Sequence, residues 1–141
     1  PGAPSPRERL DLISALADAG FAPHVLVAPV VPHLTDSTPQ LDDLLAALAA
    51  AGAARITAFP LHLRGATRDV FLDWLSATHP ALLRHYRSLY GRGGYVRPEY
   101  SARLREKMAP LVARHGLARR APEPASPPPP PPRDEPALTL F

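Results

Sequence analysis

The chain has 141 residues, 45% of them hydrophobic, with twenty prolines, no cysteine and a formal net charge of +3. That is enough for one modest core, but it excludes a disulfide framework or a thiolate metal site built from the chain's own residues. No apolar run approaches the ~20 residues that a membrane helix needs. The lack of cysteine fits a reducing compartment, and no signal-peptide pattern opens the chain, so a cytoplasmic location is expected.

The first predicted element is a helix in "SPRERLDLISALADAG". Ser5 is its N-cap, Pro6 its first residue, and Glu8 reaches back to complete a capping box. Leu10, Ile13, Leu16 and Ala17 keep helical spacing, and Gly20 ends the element. A strand follows over His24–Val30 within "VLVAPVVPHLTDS". It does not alternate, which predicts a parallel strand covered on both faces. A second helix, "TPQLDDLLAALAAAG", is capped by Ser37 or Thr38 and striped by Leu41, Leu44, Leu45 and Leu48. "RITAFPLHL", Arg55–Leu63, predicts a second strand interrupted by Pro60.

Helix, strand, helix, strand is the order of an α/β architecture with parallel strands. The two units also echo each other, with an Ala-Gly stop, a short link, a strand and a terminal proline in each, as repeated βα units do. Three helices are expected next. "TRDVFLDWLSATHP" should bury Val70, Phe71, Trp74 and Leu75, and "ALLRHYRSLYG" is short. "PEYSARLREKMAPLVARHG" should be kinked or interrupted at Pro110. The proline-rich run from Ala121 predicts an extended, solvated tail. The expected organisation is 1–66 for the βα units, 67–117 for a helical extension and 118–141 for the tail. Two buried parallel strands cannot cover themselves or satisfy their outer edges. The chain, which opens on Pro1 rather than Met, is therefore expected to be the C-terminal portion of a larger α/β domain, an incomplete (β/α) barrel.

Ligands in parallel α/β folds bind outside the carboxyl ends of the strands. This places Pro29–Asp36 and Pro60–Gly65 on a candidate functional rim. His33 and His62 lie there as possible substrate or proton-shuttling groups, although neither has a partner at ligand spacing. Asp36 reads first as a turn or cap residue. The histidines form no HExxH pair, and "GRGG" at Gly91–Gly94 does not complete a dinucleotide-binding glycine motif. Charge is uneven. Residues 1–83 hold five basic side chains against eight acidic ones, and residues 84–120 hold ten against two. The segment 84–120, with Tyr86, Tyr90, Tyr95 and Tyr100 interleaved among arginines, is a candidate nucleic-acid-binding module. The simpler reading is a solvated, arginine-rich helical surface with packing tyrosines.

"SPRERLDLISALADAG", "VLVAPVVPHLTDS", "VFLDWL" and "LYGRGGYV" occur here in an order that resembles the C-terminal portion of radical SAM enzymes of the spore-photoproduct-lyase-like group. The loop "APVVPHLTDS" resembles that group's strand motif, an apolar pair followed by a proline-glycine turn with Asn-Asp. Pro32, Asp36 and Ser37 match the motif, while His33 stands where it has glycine and Thr35 where it has asparagine. The resemblance extends from Pro1 to about Leu117. It implies a partial barrel that holds a 4Fe–4S cluster through a CxxxCxxC loop, with S-adenosylmethionine at the fourth iron and cleaved to a 5′-deoxyadenosyl radical. It further implies that Ala28, Pro29 and Val30, at the end of one strand, and Phe59 and Pro60, at the end of the next, border the cofactor's adenine. The cluster cysteines are missing here, so this chain alone is expected to be inactive. The sequence upstream of Pro1 is expected to encode CxxxCxxC in frame within about two hundred codons, a distance set by barrel size. Sequencing that region tests the resemblance, and an open frame without the motif contradicts it.

Overall fold

The computed structural model describes residues 2–118; the expected tail lies outside the described residues from 119 onward. The element order is α1 (Pro6–Asp18), β1 (His24–Val30), α2 (Thr38–Ala50), β2 (Arg55–Pro60) and α3 (Ala66–Thr78). A single 3-10 turn, Pro80–Leu82, then leads into α4 (Leu83–Tyr90) and α5 (Pro98–Arg114). The chain is thus mixed α/β, with a two-stranded parallel sheet among its described residues.

Local chemistry explains the element ends. Ser5 and Ser37 each cap a helix through a complete capping box, with Glu8 and Gln40 at the third helical position. Pro6 and Pro39 occupy first-turn positions, where a missing amide costs nothing. Gly20 and Gly52 follow α1 and α2 in the left-handed region that favours glycine.

One hydrophobic cluster unites the two halves of the chain. It includes Val30, Leu41, Leu45 and Leu48 from the βα units, and Leu75, Tyr86, Tyr90, Tyr100, Leu104, Met108 and Leu111 from the helices after them. Val25, Val27, Ile56 and Ala58, on the helix-covered face of the sheet, pack against it. α5 lies against both α2 and β2, and Asp42 on α2 ties its C-terminal end through Arg114 (2.8 Å) and His115 (2.7 Å).

Several expectations need correction. β1 is not covered on both faces: its exposure alternates, Leu26 is 60% exposed, and Phe59 on β2 is 43% exposed. The described helices cover only one side of the sheet. An apolar sequence on both faces therefore does not mean two covered faces within these residues. β2 ends at Pro60 rather than Leu63. On α2, Leu41, Leu45 and Leu48 are buried but Leu44 faces outward. On α3 only Leu75 is fully buried; Phe71 is half-buried, and Val70 and Trp74 lie on the solvent side. α5 runs through Pro110 without interruption. Pro110 and Glu106, whose carbonyl loses its amide partner, are both exposed, so water can take the missing bond.

The close approach of α1 gives a direct test. Gly52 has φ 86°, and a Cβ there would meet the Ala17 Cβ at 2.6 Å, whereas one at Gly20, φ 85°, would meet nothing within 4 Å. Gly52→Ala should cost about 2–3 kcal/mol and Gly20→Ala about 1 kcal/mol, the backbone part alone. Urea midpoints of the two variants check this, and equal losses would show that α1 does not press on Gly52.

Candidate functional site

The rim at the carboxyl ends of the two strands is built by a mismatch in their pairing. Val27 pairs with Ala58 and Val30 pairs with Pro60, so Ala28 and Pro29 together oppose Phe59. Pro29 has no amide to give to the ladder, and an irregularity where two residues face one is how a sheet accommodates that. The Ala28–Pro29 peptide bond is cis.

The five residues singled out for adenine contact therefore come together at one edge of the sheet. Ala28, Pro29 and Phe59 are exposed there and Pro60 is half-buried. Val30 turns its side chain into the core, and its carbonyl accepts from the Leu61 amide at 2.9 Å. Its part is to fix the strand end. The exposed group offers apolar surface, an aromatic ring and backbone polar atoms, but no ionisable pair. This suits the face of a flat heterocycle better than acid–base chemistry.

The β1–α2 loop beyond the rim is closed by its own side chains. The Val31 amide donates to Thr35 Oγ1 (2.8 Å), the Thr35 amide to the Val31 carbonyl (2.9 Å) and the His33 amide to Asp36 Oδ1 (2.9 Å). Gln40 Nε2 donates to the Leu34 carbonyl at 3.1 Å. His33 sits at φ 61°, the left-handed region that favours glycine.

The helices then grip both rim loops through buried tyrosines. The Tyr86 hydroxyl donates to the Pro32 carbonyl (2.6 Å), Tyr90 to the Leu61 carbonyl (2.7 Å) and Tyr100 to Asp36 Oδ2 (2.7 Å). Lys107 Nζ adds a bond to the Asp36 carbonyl. Asp36 thus binds its own loop with one carboxylate oxygen and α5 with the other, beyond the capping role expected of it. Three of the four tyrosines in the basic segment are core residues, as the packing reading expected, and Tyr95 alone is exposed. The Arg64 guanidinium stacks 4.4 Å above the Tyr95 ring, and the His62 ring stands edge-on to it at 4.7 Å. His62 is thereby placed by packing.

The glycine-rich loop has a structural task. Arg68 donates to the carbonyls of Gly91 (2.6 Å) and Gly93 (2.7 Å). A Cβ at Gly94 would come within 2.9 Å of the Leu63 carbonyl oxygen. The loop presents carbonyls to a cation and lies tight against the second rim loop, which the Leu63 amide joins to the Gly94 carbonyl at 2.8 Å. Along the outer edge of β2, facing α5, runs an apolar groove of about 710 Å3 to which Phe59 and Pro60 contribute.

Burial holds the phenols of Tyr86, Tyr90 and Tyr100 well above the ordinary tyrosine value, and the hydrogen bond to Asp36 raises Tyr100 further. A pKa raised in the folded state contributes stability that is fully present below the unfolded value, about 10, and is lost as pH rises beyond it. In an alkaline titration, three tyrosines should therefore ionise only together with loss of the far-ultraviolet circular dichroism signal. Tyrosinate absorbance from three rings near pH 10 (the ordinary value) in an intact fold would contradict their burial.

Over 117 residues, 83% of this chain, the sequence is 54% identical to an uncharacterized protein of Mycobacterium bovis and to uncharacterized proteins of two Mycobacterium tuberculosis strains. The match takes in 34% of each relative, so the chain spans about a third of the length of the curated relatives it matches. No protein-family model matches the chain, and no solved structure does.

Proposed function

We propose that these residues form the C-terminal βα units and helical extension of a radical SAM enzyme, in which the exposed sheet face lines the interior of an incomplete (β/α) barrel. The observation that carries this reading is the one-sided sheet. Helices cover Val25, Val27, Ile56 and Ala58, while Leu26 and Phe59 face outward, as strands do in a barrel with its helices outside. His33 adds support, because its left-handed backbone stands where the family's strand motif carries glycine.

The iron–sulfur cluster does not fit this chain. There is no cysteine in it, and among the described residues no group of three His, Cys, Asp or Glu side chains is arranged to hold a metal ion. On this reading the cluster is held by residues other than these, which do not carry out the family's reaction by themselves. The nucleoside of S-adenosylmethionine does fit. Phe59 offers a ring for stacking, Ala28 and Pro29 a flat apolar edge, and the pairing of Val30 with Pro60 holds both strand ends in place. When bound, that cofactor supplies the radical precursor; these residues orient it and keep water from it. The reaction is a cytoplasmic one on this reading.

The test uses the mycobacterial relative, whose chain extends well beyond the matched residues. Reconstituted anaerobically with iron and sulfide and then reduced, it should convert S-adenosylmethionine to methionine and 5′-deoxyadenosine. Replacement by Ala of the residue aligned with Phe59 should weaken cofactor binding by about tenfold, the loss expected for one aromatic–base stack. A cluster-loaded protein that releases no 5′-deoxyadenosine, or a protein that assembles no cluster, would overturn the proposal.

A further inference from the structure

The rim carries a second feature that the nucleoside reading does not use. Between the β1–α2 loop and helices α4 and α5 lies a cleft of about 430 Å3. His33 from the loop and His85 from α4 meet in it, with ring centroids 5.8 Å apart and planes tilted by 56°. Arg97, which precedes α5, and Arg103, one turn and a half along it, line the same cleft. Neither arginine makes an ion pair among the described residues, although Glu99 lies in the cleft and stands four positions before Arg103 on the helix.

The charges around the cleft are of two kinds. Asp36 and Lys107 are engaged within the protein: both carboxylate oxygens of Asp36 accept bonds from the His33 amide and the Tyr100 hydroxyl, and Lys107 donates to the Asp36 carbonyl. Among the described residues, the side chains of Arg97, Arg103, His33 and His85 make no hydrogen bond or ion pair, unlike those of Asp36 and Lys107. Guanidinium is always charged, has donors only and matches the paired oxygens of carboxylate and phosphate groups. The Tyr100–Asp36 bond ties α5 to the β1–α2 loop and the Tyr86–Pro32 bond ties α4 to it, so the three elements that supply these exposed donors are joined beneath the cleft they line.

We propose that this cleft is an oxyanion site that takes the phosphate group of a small phosphorylated molecule, gripped by Arg97 and Arg103 with His33 and His85 opposite. The proposal does not depend on the radical SAM reading. Glu99 lines the same cleft and Asp36 the adjoining one, so carboxylates interrupt the cationic patch. A nucleic-acid backbone calls instead for a continuous track of cations.

Equilibrium dialysis of the 141-residue chain against radiolabelled inorganic phosphate, at constant ionic strength, tests this. Binding should saturate at one site. It should weaken about tenfold in Arg103→Gln and in Arg97→Gln, the loss of one charge-assisted contact. It should be unchanged in Arg92→Gln, which lies outside the cleft, and all three variants should keep the wild-type circular dichroism spectrum. Absence of saturable binding, or an equal loss in Arg92→Gln, overturns the proposal. So does a parallel titration with single-stranded oligothymidylate in which affinity climbs with length and falls alike in all three variants, the mark of a diffuse polyanion surface.

Discussion

The arrangement of the rim depends on three phenol hydroxyls. Tyr86, Tyr90 and Tyr100 are buried beneath the carboxyl ends of the strands, and each donates to an acceptor on a loop that leaves a strand. A buried carbonyl or carboxylate without a donor would cost about 1–3 kcal/mol, so each tyrosine both fills volume and satisfies a polar atom that the loop brings inside. No buried side-chain polar atom among the described residues is left without a partner. The Tyr100 bond differs in kind, because its acceptor is a carboxylate and a hydrogen bond to a charged group is stronger than one to a carbonyl. Through it, helix α5 sets the position of the same loop that carries His33 and feeds helix α2.

Most helix starts and the first strand were legible in the sequence, whereas the end of β2 and the passage of α5 through Pro110 were not. The capping boxes at Ser5 and Ser37, the first-turn prolines and the strand at His24–Val30 rest on neighbours within a few residues, and these the structure reproduces. What lay hidden is nonlocal. Asp36 meets Tyr100 across 64 positions and Lys107 across 71, and no spacing rule connects them. The burial errors share one cause. Apolar character says that a face can be covered, whereas coverage depends on which elements are present, so Leu26, Phe59 and Trp74 read as core yet stand exposed among the described residues. The candidate site divides the same way: the strand ends could be named from the sequence, but the irregular pairing that sets Ala28 and Pro29 against Phe59 could not.

The covered and open sides of the molecule have different consequences. On the covered side, helices from both halves of the chain share one core, so the rim loops rest on a rigid base. On the open side, apolar residues and an edge of β1 that is unpaired among the described residues stand exposed, a combination that drives association unless something covers it. A rigid rim next to an open face is how binding loops are usually held: the scaffold is fixed, and the ligand meets backbone and side chains already in place.

Amide hydrogen exchange in Tyr100→Phe shows whether the buried tyrosines hold the rim. The substitution removes one hydroxyl and keeps the ring that packs in the core. The amides of His33 and Thr35 should exchange about tenfold or more faster than in the wild type, while those of Leu45 and Leu48 in α2 keep their protection. Unchanged exchange at His33 and Thr35, or a uniform increase across α2 and the rim alike, would show that the Tyr100 hydroxyl does not hold the loop.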